Sequence, residues 1–382
     1  LGNRMMTLAS TFLYALLTDR VVLVHGWGKD LASLFCEPFP GTTLLLPQDF
    51  PIAELGHFDR DNPLSYGNLL KNKKISTDAP PPSFVYLHLD GDYSTEDMHF
   101  FCEPDQKALR AVPWTAVRSD NYFVPGLFLN QDFEPELAKL FPEKETVFHH
   151  LSRYLFHPTN KVWGMITGYY RVYMARARDK VGIQIRVFDP KAAPFEVVSE
   201  QVINCTLKEK LLPEVELNKS ATGFSDPSKR RLVLLTSLYT GYVDRIKDLY
   251  REHPPAGGVV VSVHQPSHES RQWKGRARHD AKAWAEMYLL SFADDLVTSS
   301  WSTFGYVSQG LGGVRPWILV RPEKGVMPEP TCVRDISMEP CFHSTPWYVC
   351  REKRNGDNSK VVPFVTHCKD VTGGLKLVDP IR

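Results

Sequence analysis

Apolar, β-rich runs alternate with amphipathic stretches through the second half of the chain. Residues 181–188, 231–237, 258–263, 295–298 and 316–320 read as strands. Between them, 195–209, 242–252, 279–292 and 303–311 read as helices. In the third helix Ala281, Trp284, Ala285, Tyr288, Leu289 and Phe292 recur at helical spacing, which makes one apolar stripe. Apolar strands that alternate with helices predict a parallel sheet with right-handed crossovers, a doubly wound α/β domain.

The first half shows the same grammar less cleanly. Gly2-Asn3-Arg4 forms a turn before a helix over 5–18, and 20–24 then reads as a strand. That is the second half of a βαβ unit, whose first strand would precede Leu1. A further strand is expected over 84–89, after the Pro80–Pro82 run. Connecting helices over 148–176, broken at Pro158, place a domain boundary near 150–175. At roughly 150 residues per domain, 382 residues suit two domains. We expect them at 1–160 and 161–330, with a Cys-rich segment over 331–382 that packs back on both.

Composition narrows the partners. Lys plus Arg is 45 and Asp plus Glu is 44, a formal charge of +1, with no basic block of five. Nucleic-acid binding through bulk charge is therefore not expected. No run approaches the ~20 apolar residues of a membrane span, and no signal peptide is visible. Four of the seven cysteines lie beyond Pro330, and none forms a CxxC pair. This favours disulfides in an oxidising compartment over a zinc site, with reduced buried thiols as the alternative. Asn204-Cys205-Thr206 and Asn218-Lys219-Ser220 are glycosylation sequons that fit a secretory route. A start at Leu1 reads as trimming, which would also leave one cysteine without its partner and at most three disulfides.

In a doubly wound sheet, ligands bind beyond the carboxyl ends of the strands at the switch point. Arg186 stands near such an end. Its planar fork suits a pyrophosphate, and a buried salt bridge is the structural alternative. Thr298-Ser-Ser-Trp-Ser-Thr-Phe-Gly-Tyr306 follows a strand and opens a helix, so its amides and hydroxyls suit an anion as well as an ordinary N-cap. Gly310, Gly312 and Gly313 read as C-cap residues. Asp59-Arg60-Asp61 reads as a solvated turn. Asp90-Gly91-Asp92 is a turn or a divalent-ion ligand pair, and spacing leaves that open. His149, His150 and His157 read as structural or surface residues in a helical stretch, and His279-Asp280 as a helix start. GxGxxG, GxxxxGK[ST], GxSxG and HExxH do not occur.

Six segments carry a resemblance: Leu1-Gly-Asn-Arg4 with Leu8-Ala-Ser, Leu34-Phe-Cys-Glu-Pro-Phe-Pro-Gly41, Leu155-Phe-His-Pro-Thr-Asn160, Gly182-Ile-Gln-Ile-Arg-Val-Phe188, Ser302-Thr-Phe-Gly-Tyr-Val-Ser-Gln-Gly-Leu-Gly-Gly313 and Ser337-Met-Glu-Pro-Cys-Phe342. Together they resemble the plant xyloglucan fucosyltransferase family along essentially the whole chain. The resemblance implies a GT-B type α/β fold, two Rossmann-like domains facing across a cleft. The first would be acceptor-side and the second would bind GDP-fucose.

The resemblance further implies the lumenal part of a type II Golgi membrane protein whose anchor lies outside this chain. Its implied reaction moves L-fucose from GDP-fucose to the 2-hydroxyl of a terminal galactose on a cell-wall polysaccharide. It inverts the anomeric centre and needs no metal or other cofactor, so Asp90-Gly91-Asp92 reads as a turn. Arg186 matches the family's diphosphate arginine. Gln184, Ser299, Ser302, Thr303, Phe304 and Gly305 join it on the donor side, with Gly2, Asn3 and Arg4 approaching from the other domain. Asp120, in Ser119-Asp-Asn-Tyr122, is carried over as an acidic residue near the acceptor. A homodimer or a complex with other glycosyltransferases is compatible with this reading. The alternatives are the same chemistry on arabinogalactan, and a non-catalytic glycan-binding partner of such enzymes.

Overall fold

The computed structural model describes residues 1–26, 28–76, 80–215, 229–273 and 275–380. The chain forms two compact units. One comprises Gly2–Gly28, Phe39–Leu155 and Glu339–Arg382; the other comprises Leu1, Lys29–Pro38 and Phe156–Met338.

The first unit opens with helix α1, Gly2–Leu17. The helix begins earlier than its apolar spacing suggests and takes in the Gly-Asn-Arg turn. Its buried side carries Met5, Met6, Ala9, Phe12 and Leu13, each worth about 1.5–3 kcal/mol when large and fully buried. The strand expected over 20–24 does not form. Arg20 donates to the carbonyls of Leu109 at 2.8 Å and Val112 at 2.6 Å, which pins the chain as it leaves α1. Val21 is left 85% exposed, and Val24 makes one isolated parallel bridge to Leu45.

Strands β1, Phe84–Leu89, and β2, Trp114–Ser119, pair in parallel from Phe84↔Trp114 to Leu89↔Ser119. All of β1 is buried. Among the described residues β2 pairs on one side only, and its periodicity was not strong enough to mark it in the sequence. A groove of about 620 Å³ runs between the outer edge of β2 and Val21–Val24.

The C-terminal tail belongs to this unit from Glu339 onward. Cys102–Cys350 and Cys341–Cys368 are disulfides. The fully buried Glu339 accepts from the Tyr122 hydroxyl at 2.5 Å and the Phe148 amide at 2.6 Å. The expected segment 331–382 is therefore not one piece, because its first residues complete the sheet of the other unit.

That sheet contains β3, Asp179–Gln184; β4, Arg230–Thr236; β5, Val260–His264; β6, Asp295–Ser299; β7, Trp317–Leu319; and β8, Cys332–Arg334. Their order is β8-β7-β6-β3-β4-β5, with β8 antiparallel to β7 and every other neighbour parallel. Helices α2, Phe195–Lys208; α3, Gly241–Glu252; α4, Ala277–Leu290; and α5, Thr303–Gly312, connect the strands. Val181, Ile183, Val233, Leu235 and Val297 pack with Val198, Val202, Val243 and Ile246 in one core. Cys205 on α2 is bonded to Cys332 on β8, which closes 127 residues and is worth about 5 kcal/mol in the chain-entropy account.

Two motif segments meet in this unit: Phe35–Cys36 pairs antiparallel with His157–Pro158. His157 is therefore extended rather than helical. His149 and His150 lie on the helix Val147–Leu155 of the first unit, as expected. Asp280 lies in the first turn of α4, where a carboxylate complements the helix dipole. Gly313 is the α5 C-cap, with φ at 69°. Gly310 and Gly312 are helical instead; a Cβ on Gly312 would meet the Ser291 carbonyl at 2.7 Å.

Candidate functional site

Strand order reverses between β3 and β6, so the switch point lies where these two strands end. The Arg186 amide, two residues beyond β3, donates to the Ser299 hydroxyl at the end of β6, at 2.9 Å. The strand expected to reach residue 188 stops at Gln184, which frees Arg186 to leave the sheet plane. Its guanidinium is half-buried, lies 5.4 Å from the Phe188 ring and donates to Gln272 Oε1 at 3.2 Å. Partial burial lowers its pKa. Stripped of some water, such a cation gains more from a phosphate than an exposed one. Among the described residues no carboxylate makes an ion pair with it, so the alternative of a buried salt bridge finds no partner.

The β6–α5 connection sits beside Arg186. Ser299, Ser300 and Trp301 line a recess together with Arg186, Phe188 and Arg321. Trp301 has φ at 64°, a left-handed conformation that strains a large side chain, and the Arg321 guanidinium stacks over its ring at 4.7 Å. Ser302 is the N-cap of α5, its hydroxyl facing the Gly305 amide at 3.5 Å. The amides and dipole of a helix start suit an anion. Gly305 allows close packing: a Cβ there would sit 2.9 Å from Thr298 Cβ and 3.1 Å from Gln184 Oε1. Thr303 and Phe304 are partly exposed in the same turn.

Gln184 and Thr236 are paired residues at the ends of β3 and β4. Gln184 Oε1 and Thr236 Oγ1 are both buried with no hydrogen-bond partner among the described residues. Buried polar atoms are satisfied in nearly all folded proteins, so these two, at strand ends beside Arg186, can take a hydrogen bond from water or a ligand. Residue type and position in sequence give no warning of this for Thr236.

The first unit holds the other expected residues. Gly2 is buried at the start of α1, while Asn3 and Arg4 are exposed, and Arg4 lines the groove beside β2. One turn later the Thr7 hydroxyl lies 3.1 Å from the Ser119 carbonyl and 3.3 Å from that of Asn121. These bonds hold α1 against the turn that carries Asp120. Asp120 Oδ1 accepts from Asn121 at 2.7 Å. Partial burial, then the nearby Asp90 and Asp92 carboxylates, raise its pKa above the usual carboxylate range.

Asp90-Gly91-Asp92 is a turn. Arg118 pairs with Asp90 at 2.8 Å. His88, buried in β1, bonds Asp92 at 2.8 Å through Nε2 and the Tyr86 hydroxyl at 2.7 Å through Nδ1. Both carboxylates are thus taken by side chains of the protein. Asp59-Arg60-Asp61 is likewise a turn. The sequence pattern did not single out His88 or Arg118; a histidine inside an otherwise apolar strand was the available signal.

Asn204 is exposed but sits within α2, and Cys205 and Thr206 beside it are fully buried. A glycan acceptor is expected on a surface loop, so the fold gives Asn204 no such support. Asn218 lies outside the described residues. Cys36 is the free cysteine. Among the described residues no helix is long and apolar enough to cross a membrane.

Residues 1–351 match the family model described as xyloglucan fucosyltransferase. The chain belongs to the xyloglucan fucosyltransferase family. A galactoside 2-alpha-L-fucosyltransferase of Pisum sativum is 53% identical over 380 residues, covering 99% of this chain and 67% of its own length. An Arabidopsis thaliana protein of the same name is 53% identical over 379 residues, covering 99% and 68%. An arginine-to-lysine mutant of Arabidopsis thaliana FUT1, solved in complex with GDP, superposes with a TM-score of 0.91 at 52% identity, covering 99% of this chain and 81% of that one. The α/β architecture expected from the sequence is therefore that of a fucosyltransferase family.

Proposed function

We propose that the protein transfers L-fucose from GDP-fucose to the 2-hydroxyl of a terminal galactose on xyloglucan side chains, with inversion and without a metal. The observation that carries the donor side is Arg186 at the switch point, bonded through its amide to Ser299. Arg186 faces the diphosphate. The first turn of α5, with Ser302, Thr303, Phe304 and Gly305, supplies amides and hydroxyls to the same anion. Gln184 offers its unpartnered oxygen to a donor hydroxyl or amine. The reading of Gly2, Asn3 and Arg4 as donor residues rests on the resemblance. The GDP complex of the FUT1 relative supports GDP-fucose as donor.

Inversion needs one in-line displacement. The galactose oxygen forms a bond to fucose C1 while the bond from C1 to the diphosphate oxygen breaks. The electron pair leaves with GDP, and Arg186 stabilises the charge that develops there. The acceptor hydroxyl gives up its proton to a base, the role we assign to Asp120. A raised pKa makes this carboxylate a stronger base than an ordinary aspartate. Asp90 and Asp92 stay outside the chemistry, held by Arg118 and His88.

Three disulfides fit an oxidising compartment and support a Golgi lumenal setting. The test is incubation with GDP-fucose and a panel of galactosylated plant oligosaccharides, followed by mass spectrometry. Addition of one deoxyhexose to xyloglucan fragments, unchanged by EDTA, is expected. Transfer to arabinogalactan fragments instead would reassign the acceptor. Inhibition by EDTA that a divalent ion reverses would end the metal-free reading. GDP-fucose left intact with every acceptor would favour a glycan-binding partner over an enzyme.

A further inference from the structure

We propose that Gln272 is a positioning residue that aims Arg186 at the donor diphosphate. The inference rests on the reading of Arg186 as the diphosphate ligand. Gln272 Oε1 accepts from Arg186 Nη2 at 3.2 Å. An unbraced arginine has several rotatable bonds, and a site that must hold a diphosphate gains from one whose fork is already set. Gln272 is neutral, so it orients the guanidinium without cancelling its charge.

The segment that carries Gln272 is itself held in place. It runs from the end of β5 to the start of α4. The Gln265 side chain donates to the Ser237 carbonyl at 3.0 Å. Ser267 donates to Glu286 on α4 at 2.6 Å. Glu269 pairs with Lys282 and lies 3.6 Å from His279, both also on α4. Next to Gln272, the Trp273 ring is stacked between two guanidinium groups, Arg271 at 3.5 Å and Arg276 at 3.9 Å. These cation–π contacts tie the Arg271, Trp273 and Arg276 side chains together. The segment is thus a brace anchored on α4 and on Ser237 just beyond β4, with Gln272 at its contact with the site. Arg271 and Arg276 also place two positive charges along it, which suits an anionic donor.

Calorimetric titration of GDP into wild type, Gln272→Ala, Gln272→Glu, Arg186→Ala and the double variant Arg186→Ala/Gln272→Ala tests this. Gln272→Ala should weaken GDP about tenfold, the scale of one hydrogen bond to a charged group. It should raise KM for GDP-fucose and also lower kcat, because Arg186 stabilises the departing diphosphate. Gln272→Glu should weaken GDP further, because its carboxylate competes with the diphosphate for Arg186. In the Arg186→Ala background the alanine at 272 should add nothing. Gln272 is exposed, so the melting temperature should hold in each case. Wild-type affinity in Gln272→Ala, or an equal loss in the Arg186→Ala background, overturns the inference while leaving the donor site standing. Failure of wild type to bind GDP overturns the donor reading and the inference with it.

Discussion

The Arg186 amide donates to the Ser299 hydroxyl at 2.9 Å, and this one bond spans the point where the sheet changes direction. It ties a residue two places beyond β3 to the last residue of β6. With the β3–β6 ladder and the close packing of Gly305 on Thr298 and Gln184, this hydroxyl helps set the segment carrying the guanidinium relative to the start of α5.

Ser299→Ala removes that hydroxyl and leaves a part-buried amide without its acceptor. The loss should be about 1–3 kcal/mol, shared between stability and donor binding. Calorimetry with GDP should show weaker affinity, roughly five- to tenfold, and a melt should show a modest drop in Tm. Ser299→Thr, which restores a hydroxyl, should recover part of both.

Gly305→Ala tests the packing under the anion-binding turn. The new Cβ would lie 2.9 Å from Thr298 Cβ, so the first turn of α5 must shift outward. Overpacking of this kind typically destabilises by about 1–3 kcal/mol. A lowered Tm together with weaker GDP binding is expected. An unchanged variant would mean that α5 does not press on β6 as described.

Asp120 should set the acidic limb of the pH–rate profile. Burial and the neighbouring carboxylates raise its pKa. The base form is present above the raised pKa and disappears as pH falls through it. Acid inactivation should therefore begin at higher pH than for an ordinary aspartate. Asp120→Asn should lower kcat by about 10²–10⁴ and abolish that limb. A wild-type rate in this variant would remove Asp120 as the base and point to a water chain.

Glu339 makes a separate prediction for stability. Complete burial raises its pKa to about 8, against hydrogen bonds from Tyr122 and Phe148 that favour the carboxylate. A group whose folded pKa is raised contributes stability that is full below its unfolded pKa and is lost as pH rises through the folded one. Tm should therefore decline between about pH 4.5 and pH 8 through this group. Glu339→Gln should flatten that part of the curve. A wild-type curve equally flat across this range would contradict a neutral Glu339.

Much of the C-terminal unit was legible in the sequence because its strands are buried on both faces and its helices carry clear stripes. The run 181–188 marked β3 and placed Arg186 within two residues of its end. The apolar residues of 295–298 marked β6, and Ser302 marked the start of α5. The first unit was harder. Val21–Val24 has strand composition, but the Arg20 contacts with Leu109 and Val112 hold it out of the sheet. β2 is partly exposed along its length, so its apolar pattern is faint. Position in sequence also says nothing of partners far away, such as Cys102 with Cys350 or Tyr122 with Glu339. Gln272 escaped for the same reason, since its value lies entirely in what it touches.

The most direct test of the account is the turnover of GDP-fucose by Arg186→Ala with a xyloglucan acceptor. Arg186 is half-buried, and among the described residues no carboxylate forms an ion pair with it, so the variant should melt near the wild-type temperature. Loss of leaving-group stabilisation should lower kcat/KM by about 10²–10³ or more. A folded Arg186→Ala enzyme that retains near-normal kcat/KM would contradict the assignment of the switch point as the donor site.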